Sequence, residues 1–295
     1  MLQEKRIGFI GLGAMGEPMA RALRRAGFPV TGCAHRNRSA LDRLLAEGLS
    51  ERADPADVAS ASDVVITCVP DAPHVEDALY GERGAARGAR DGTTFVDMST
   101  ISPVATRSLG ERLAASGHRF LDAPVSGGPV RAASATLTIM VGGDPAHFSE
   151  VEGVLTAMGT PTLLGPLGMG ETVKLVNQIL ISTIMLANAE GLLFAKAAGA
   201  DLEAVRKVIG TATGANYLLE NWLPKTWFAG AFDGGFAMDL LRKDVAAALD
   251  TARVMKLPMP LTALAYQFYT AQSASGDGAR DYSAVKKLYE RIAGE

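Results

Sequence analysis

"IGFIGLGAMGEPMARAL" occupies residues 7–23. It begins as an apolar run of strand length and ends as a helix-like run. Between them stands Gly11-Leu12-Gly13-Ala14-Met15-Gly16, a G-x-G-x-x-G turn. The pattern also arises by chance, but a strand before it and a helix after it give it a mechanism. Gly11 then permits the tight turn, Gly13 lets backbone approach a pyrophosphate, and Gly16 packs helix on strand. The helix N-terminus turns its unpaired N–H groups toward the phosphates. The stretch is read as a dinucleotide site rather than a plain strand–helix connection.

The pattern around it agrees. β-rich runs stand at residues 6–10, 29–34, 64–69, 93–98, 119–122 and 136–141, with helical stretches such as 18–26 and 40–47 between most of them. This alternation predicts an α/β Rossmann domain, a mostly parallel sheet covered on both faces. After Gly165 the strand runs cease and Ala/Leu/Met-rich helical segments take over. Gly and Pro cluster in "LLGPLG", residues 163–168, so the boundary is placed there. Residues 1–164 are expected to bind the nucleotide, and residues 165–295 to form an all-α domain. "SASGDGARD", residues 273–281, reads as a polar loop.

Composition narrows the class. With 48% hydrophobic residues the chain can bury a large core, while a net charge of −3 gives no bulk attraction to nucleic acid or an anionic membrane. Cys33 and Cys68 lie in apolar runs and read as buried thiols of a reducing compartment, not as a disulfide. The N-terminal residues enter a strand almost at once, without the pattern of a signal peptide, so a cytoplasmic protein is expected. The apolar run 175–198 carries Asn177, Gln178, Asn188, Glu190 and Lys196. That polar load favours a buried soluble helix over a membrane span.

The second strand ends in "HRNRS", residues 35–39. An NAD site usually has a carboxylate here to accept from the ribose hydroxyls; this chain has none before Asp42. Arg36 and Arg38 suit a 2′-phosphate through charge-assisted bonds, Asn37 and Ser39 add hydrogen bonds, and His35 lies beside it. The other reading is a solvated basic turn. NADP is favoured over NAD. Ligands of such sheets sit outside the carboxyl ends of the strands. That places Thr100 near the nicotinamide ribose and Val69, Pro70 and Val75 near the adenine, unless these are ordinary loop residues.

For chemistry, His35, His74, His118 and His147 show no metal or dyad spacing, and no Cys/His cluster exists, so no metal is expected. His118 and His147 read as surface residues. Lys174, Asn177 and Gln178 stand at i, i+3 and i+4 on one face of an apolar helix. An ammonium there either snorkels to water or is retained for a task. Ser126-Gly127-Gly128 suits capture of a small carboxylate, or makes a tight turn between strands. Lys243 and Asp244 read as an exposed ion pair of little energetic weight. Tyr217, Asn221, Trp222 and Trp227 are candidates for a distal pocket.

Taken in order, Gly11–Gly16, "DAPVSGG" (122–128), "GMGETVKLVNQ" (168–178), "KD" (243–244) and "DYSA" (281–284) resemble the β-hydroxyacid dehydrogenase family over essentially the whole chain. The resemblance implies a Rossmann domain joined through a long helix to an all-helical domain. It implies that Lys174 is the catalytic lysine and that Asn177 or Gln178 orients substrate. Ser126, Gly127 and Gly128 would hold the substrate carboxylate, and Lys243 would lie near nicotinamide and substrate. The implied reaction is hydride transfer between NADP(H) and a small β-hydroxy acid or aldehyde acid. Substrates of the 3-hydroxyisobutyrate, tartronate semialdehyde, glyoxylate or succinic semialdehyde type are expected, with Lys174 as general acid/base. A homodimer or homotetramer is expected as well. The turn at 35–39 is similar to the Asn-Arg-Thr-like turn of NADP-using members. Pro129 and Ala135 depart from the family pattern, Ala135 standing where a glycine is common. Two alternatives are an imine reductase-like enzyme using NADPH and a catalytically silent NADP-binding sensor or scaffold. Both would be expected to lack Lys174, and the imine reductases also the Ser126 anchor.

Overall fold

The computed structural model describes residues 5–294. Nine strands are assigned among them: β1 Ile7–Ile10, β2 Val30–Gly32, β3 Ser50–Glu51, β4 Val64–Thr67, β5 Thr94–Asp97, β6 Arg119–Asp122, β7 Val125–Ser126, β8 Leu137–Val141 and β9 Gly159–Leu163. The helices of this part are α1 Gly16–Arg25, α2 Ser39–Ala46, α3 Pro55–Ser60, α4 Ala72–Tyr80, α5 Ala85–Gly88, α6 Pro103–Ala115, α7 Gly128–Ala133 and α8 Pro145–Thr156. Then follow α9 Met169–Ala197, α10 Leu202–Ile209, α11 Met238–Val254, α12 Pro260–Gln272 and α13 Lys286–Ala293.

A six-stranded sheet runs β3-β2-β1-β4-β5-β6 with every pairing parallel. The period-2 alternation of the strands decides which helices cover which face. Ile7 and Phe9 join Ile66 and Val96 under Met19 and Leu23 of α1 and Leu41 and Leu44 of α2. Ile10, Val65 and Phe95 point the other way, under Val58, Leu79 and Leu113 of α3, α4 and α6. The chain order reverses between β1 and β4, and such a switch point leaves a crevice at the strand ends. A second sheet, β7-β8-β9, pairs β7 antiparallel and β9 parallel to β8.

Three strands escape the sequence pattern. β3 and β7 have only two residues each. β9, "GTPTL", is an edge strand, the position at which a sheet tolerates a proline such as Pro161. His118, read as a surface residue, is buried with its ring edge-on to Phe95, because the turn after α6 folds directly back into β6.

The chain divides into two compact units, residues up to Lys174 and Leu175–Glu295, rather than at the expected Gly/Pro cluster. The reason is local: the first turn of α9 is bonded to the end of β6, so it belongs with the sheet. The second unit is helical. Its core brings Met185 and Leu192 of α9 together with Leu241 and Val245 of α11, Tyr269 of α12 and Tyr289 of α13. α9 is long and apolar enough to cross a membrane by composition. Its Ser182 carbonyl nevertheless accepts the Tyr269 hydroxyl at 3.0 Å inside this core. Of the expected loop at 273–281, Ser273–Asp277 is instead a helical turn continuing α12, residues 278–280 are turn and bend, and Asp281 is buried. There it accepts from Trp222 Nε1 at 3.1 Å and from the Phe236 N–H at 2.9 Å.

Candidate active site

The three glycines of the first turn differ in what a Cβ would meet. Gly11 has φ 101°, and a Cβ there would lie 2.2 Å from the Cys68 carbonyl oxygen at the end of β4. At Gly16 a Cβ would lie 1.9 Å from the Gly11 carbonyl oxygen, so α1 seats on the strand only without a side chain. At Gly13 a Cβ would meet nothing within 4 Å. Two glycines are needed for the bend and the packing; the third faces open space, a cradle into which a pyrophosphate fits against main chain. Leu12 and Met15 are half-buried, packed on the core, and Ala14 is exposed.

Glu17 in the first turn of α1 would repel a phosphate. It is bonded by Arg43 at 2.7 Å and Arg21 at 2.9 Å. These guanidinia, Arg43 first, hold its carboxyl down at about 2 from an ordinary 4.5. A depressed carboxyl stabilises the fold above its unfolded pKa and loses that contribution as pH falls through the folded one. Glu17→Gln is therefore expected to flatten the stability curve between about pH 4.5 and 2, by about 1 kcal/mol, in denaturant titrations across that range.

His35, Arg36, Asn37 and Arg38 all stand exposed after β2. Asn37 Oδ1 accepts the Ser39 N–H at 2.9 Å and shapes the entry to α2. Arg38 is engaged: its fork bonds both oxygens of Glu51 at 3.1 and 3.2 Å, and its Nε bonds Asp42 at 2.9 Å. Arg36 forms no ion pair among the described residues. The two arginines, alike in the sequence, thus differ: Arg38 braces the turn and Arg36 carries the uncompensated charge.

The ends of β4, β5 and β6 are tied by buried carboxylates. Asp97 Oδ1 accepts from Thr67 Oγ1 at 2.8 Å and from the Ser99 N–H at 3.1 Å, and Ser99 Oγ accepts the Val69 N–H at 3.0 Å. Asp97 thereby shapes the loop that carries Thr100. Asp122 pairs with it in register on β6. Its oxygens accept the N–H groups of Gly168 and Glu171, each at 2.7 Å. Gly168 has no side chain with which to cap α9, and Asp122 supplies the cap from another strand. Burial pushes both carboxyls above the usual carboxylate range, while hydrogen bonds from backbone N–H groups oppose the shift at Asp122. Gly170 belongs to the same joint: a Cβ there would lie 2.2 Å from the Met140 carbonyl oxygen. Lys174, one turn further along α9, is 8% exposed, so it does not snorkel to water.

Val69 is half-buried and Pro70 exposed, but Val75 is fully enclosed in the core under α4 and offers a ligand no surface. Ser126, Gly127 and Gly128 are half-buried at the junction of β7 and α7, the glycines at φ 136° and 66°. Ala135, where the family commonly has glycine, takes φ 55°, a conformation that costs an L-residue about 1 kcal/mol.

In the helical unit, Lys243 and Asp244 are not an exposed pair. Asp244 is 3% exposed. It receives Lys243 Nζ at 2.8 Å on one oxygen and Gln178 Nε2 at 2.7 Å on the other, and Gln178 Oε1 accepts from Asn177 Nδ2 at 2.8 Å. Asp244 thus joins the three residues of this unit that the resemblance assigns to substrate. Trp227 is buried in the core beneath Lys286, while Tyr217 and Asn221 are exposed. Sequence reasoning gave no role to Asp97, Asp122 or Glu171, and gave Asp244 only that of an exposed ion-pair partner. The signal was present for the first two: each closes an otherwise largely apolar run, "TFVD" and "RFLD".

Residues 6–173 match the NAD binding domain of 6-phosphogluconate dehydrogenase, and residues 168–289 match the NAD-binding family of NADP-dependent 3-hydroxyisobutyrate dehydrogenase. The chain is 38% identical to 2-(hydroxymethyl)glutarate dehydrogenase of Eubacterium barkeri, covering 98% of this chain and 96% of the relative. It is also 38% identical to 2-hydroxy-3-oxopropionate reductase of Escherichia coli, covering 98% of each. A structure of Mycobacterium tuberculosis 3-hydroxyisobutyrate dehydrogenase with L-serine superposes with a TM-score of 0.90 at 31% identity, covering 97% of this chain and 99% of that one. Fold and relatives together define an oxidoreductase with NAD(P)-binding domains that acts on a CH–OH group. The chain belongs to the β-hydroxyacid dehydrogenase family, with its hydroxyacid dehydrogenases and semialdehyde reductases.

Proposed function

We propose that this protein is an NADP(H)-dependent reductase of short aldehyde acids, working reversibly on the corresponding β-hydroxy acids. The observation that carries the reading is the buried Lys174, held by the capped start of α9 in the same compact unit as the glycine turn. The bound cofactor supplies the hydride for reduction and accepts it in oxidation. Lys174 as ammonium gives a proton to the developing alkoxide, and as free amine takes the hydroxyl proton in the reverse direction. Ser126 and the backbone of Gly127 and Gly128 hold the substrate carboxylate. Asn177, Gln178 and Lys243 orient the remainder, braced by Asp244. The names of the relatives support this substrate class, since each acts on a small hydroxy or oxo acid.

The test is steady-state turnover of NADPH and NADH with glyoxylate, succinic semialdehyde, tartronate semialdehyde and methylmalonate semialdehyde. NADPH-dependent reduction of at least one is expected. Tight NADPH binding with no turnover across the panel would instead favour a sensor. Cofactor preference has its own check at Arg36. A charge-assisted bond to the 2′-phosphate predicts that Arg36→Ala weakens NADPH binding about tenfold and leaves NADH within about twofold. Equal effects on both in fluorescence titrations would remove Arg36 from this role.

A further inference from the structure

Glu171 stands three residues before Lys174 on α9 and is fully buried. At that spacing the two share a helix face. An enclosed carboxylate is costly unless its bonds compensate for lost water. Its Oε1 accepts the Ile101 N–H at 3.1 Å, and its own N–H donates to Asp122 at 2.7 Å. Ile101 directly follows Thr100 in the loop after β5. One residue therefore joins the loop carrying Thr100, the end of β6 and the turns of α9 that carry Lys174.

We propose that Glu171 is a positioning residue whose side chain clamps the Thr100 loop to the Lys174 helix. The clamp sets the register between the cofactor's ribose and the proton donor. The inference rests on the reading of Lys174 as acid/base. The bond to Ile101 asks for an acceptor, not for a charge, and a glutamine carbonyl would satisfy it. The Asp122 cap holds the start of α9 without help from the Glu171 side chain. Loss of the clamp therefore leaves the helix start and the glycine turn in place and alters register. A misplacement of about 1 Å costs about a hundredfold in rate.

The test compares Glu171→Met, similar in size but without a strong acceptor, with Glu171→Gln. In the cofactor-free protein, amide exchange over residues 99–101 is expected to quicken in E171M and stay unchanged in E171Q. With cofactor and the best substrate of the panel, E171M is expected to lower kcat about 30-fold and to raise the isotope effect of C4-deuterated cofactor. Cofactor Kd should stay within about threefold in both variants, and E171Q should keep kcat within about threefold. Wild-type exchange and kcat in E171M would overturn the proposal. So would an E171Q loss of more than about tenfold, which would give the role to the charge; E171Q decides alone if E171M does not fold. Lys174→Ala is measured beside them. If it turns over like wild type, the acid/base reading falls and takes the clamp with it. If it is inactive while E171M behaves as wild type, the clamp alone falls.

Discussion

Lys174→Ala is expected to lower turnover by about a hundredfold or more in both directions while leaving cofactor affinity nearly unchanged. The asymmetry follows from position. The proposed pyrophosphate cradle, residues 11–16, and the proposed 2′-phosphate turn, residues 35–39, lie far from the lysine in sequence. Lys174→Arg separates the two proton roles. A guanidinium stays protonated at any accessible pH. It retains part of the electrostatic help to a developing alkoxide but cannot accept a proton. Reduction should therefore recover partly relative to alanine, and oxidation should not. Single-turnover measurements in each direction would show this split. Turnover of the alanine variant at the wild-type rate would sink the assignment.

The second large effect is expected at Asp122. Asp122→Ala leaves the buried N–H groups of Gly168 and Glu171 without their acceptor. Each such group costs about 1–3 kcal/mol. An opposing term exists, because burial already raises the Asp122 carboxyl above its usual range, so ionising it in place is itself unfavourable. Two orphaned donors and a cavity outweigh that relief, and a net loss of about 2–4 kcal/mol follows. For a chain of this size the loss corresponds to a fall in Tm of roughly 3–6 °C. Asp122→Asn keeps one acceptor and should fall between wild type and alanine. A Tm for Asp122→Ala within about 1 °C of wild type would show that the cap does not hold the helix.

The large features of the fold were legible because they rest on period and punctuation. Alternating apolar runs marked five of the six strands of the main sheet, and the Gly11–Gly16 turn located the switch point. The change of texture after Gly165 announced the helical unit. What was hidden depends on chain segments distant in sequence. Asp122 and Gly168 are 46 positions apart, Glu171 and Ile101 70, and Gln178 and Asp244 66. No local pattern encodes such pairs, so Asp97, Asp122 and Glu171 drew no role from the sequence. The pair at 243–244 looked exposed for the same reason: burial of Asp244 is a property of α9 and α11 together. The difference between Arg36 and Arg38 also needed Glu51, which lies on a strand too short to leave a signal.

The open space at Gly13 has a consequence for how such a protein changes over time. The pyrophosphate cradle offers main chain, and no side chain there reports which cofactor is present. In the proposed reading the adenosine end, by contrast, meets exposed side chains on the 35–38 turn, outside the packed core. Preference for one dinucleotide can therefore be rewritten by a few surface substitutions, with the bend, the sheet and the lysine helix all left in place. Recognition and chemistry are separately heritable in this architecture.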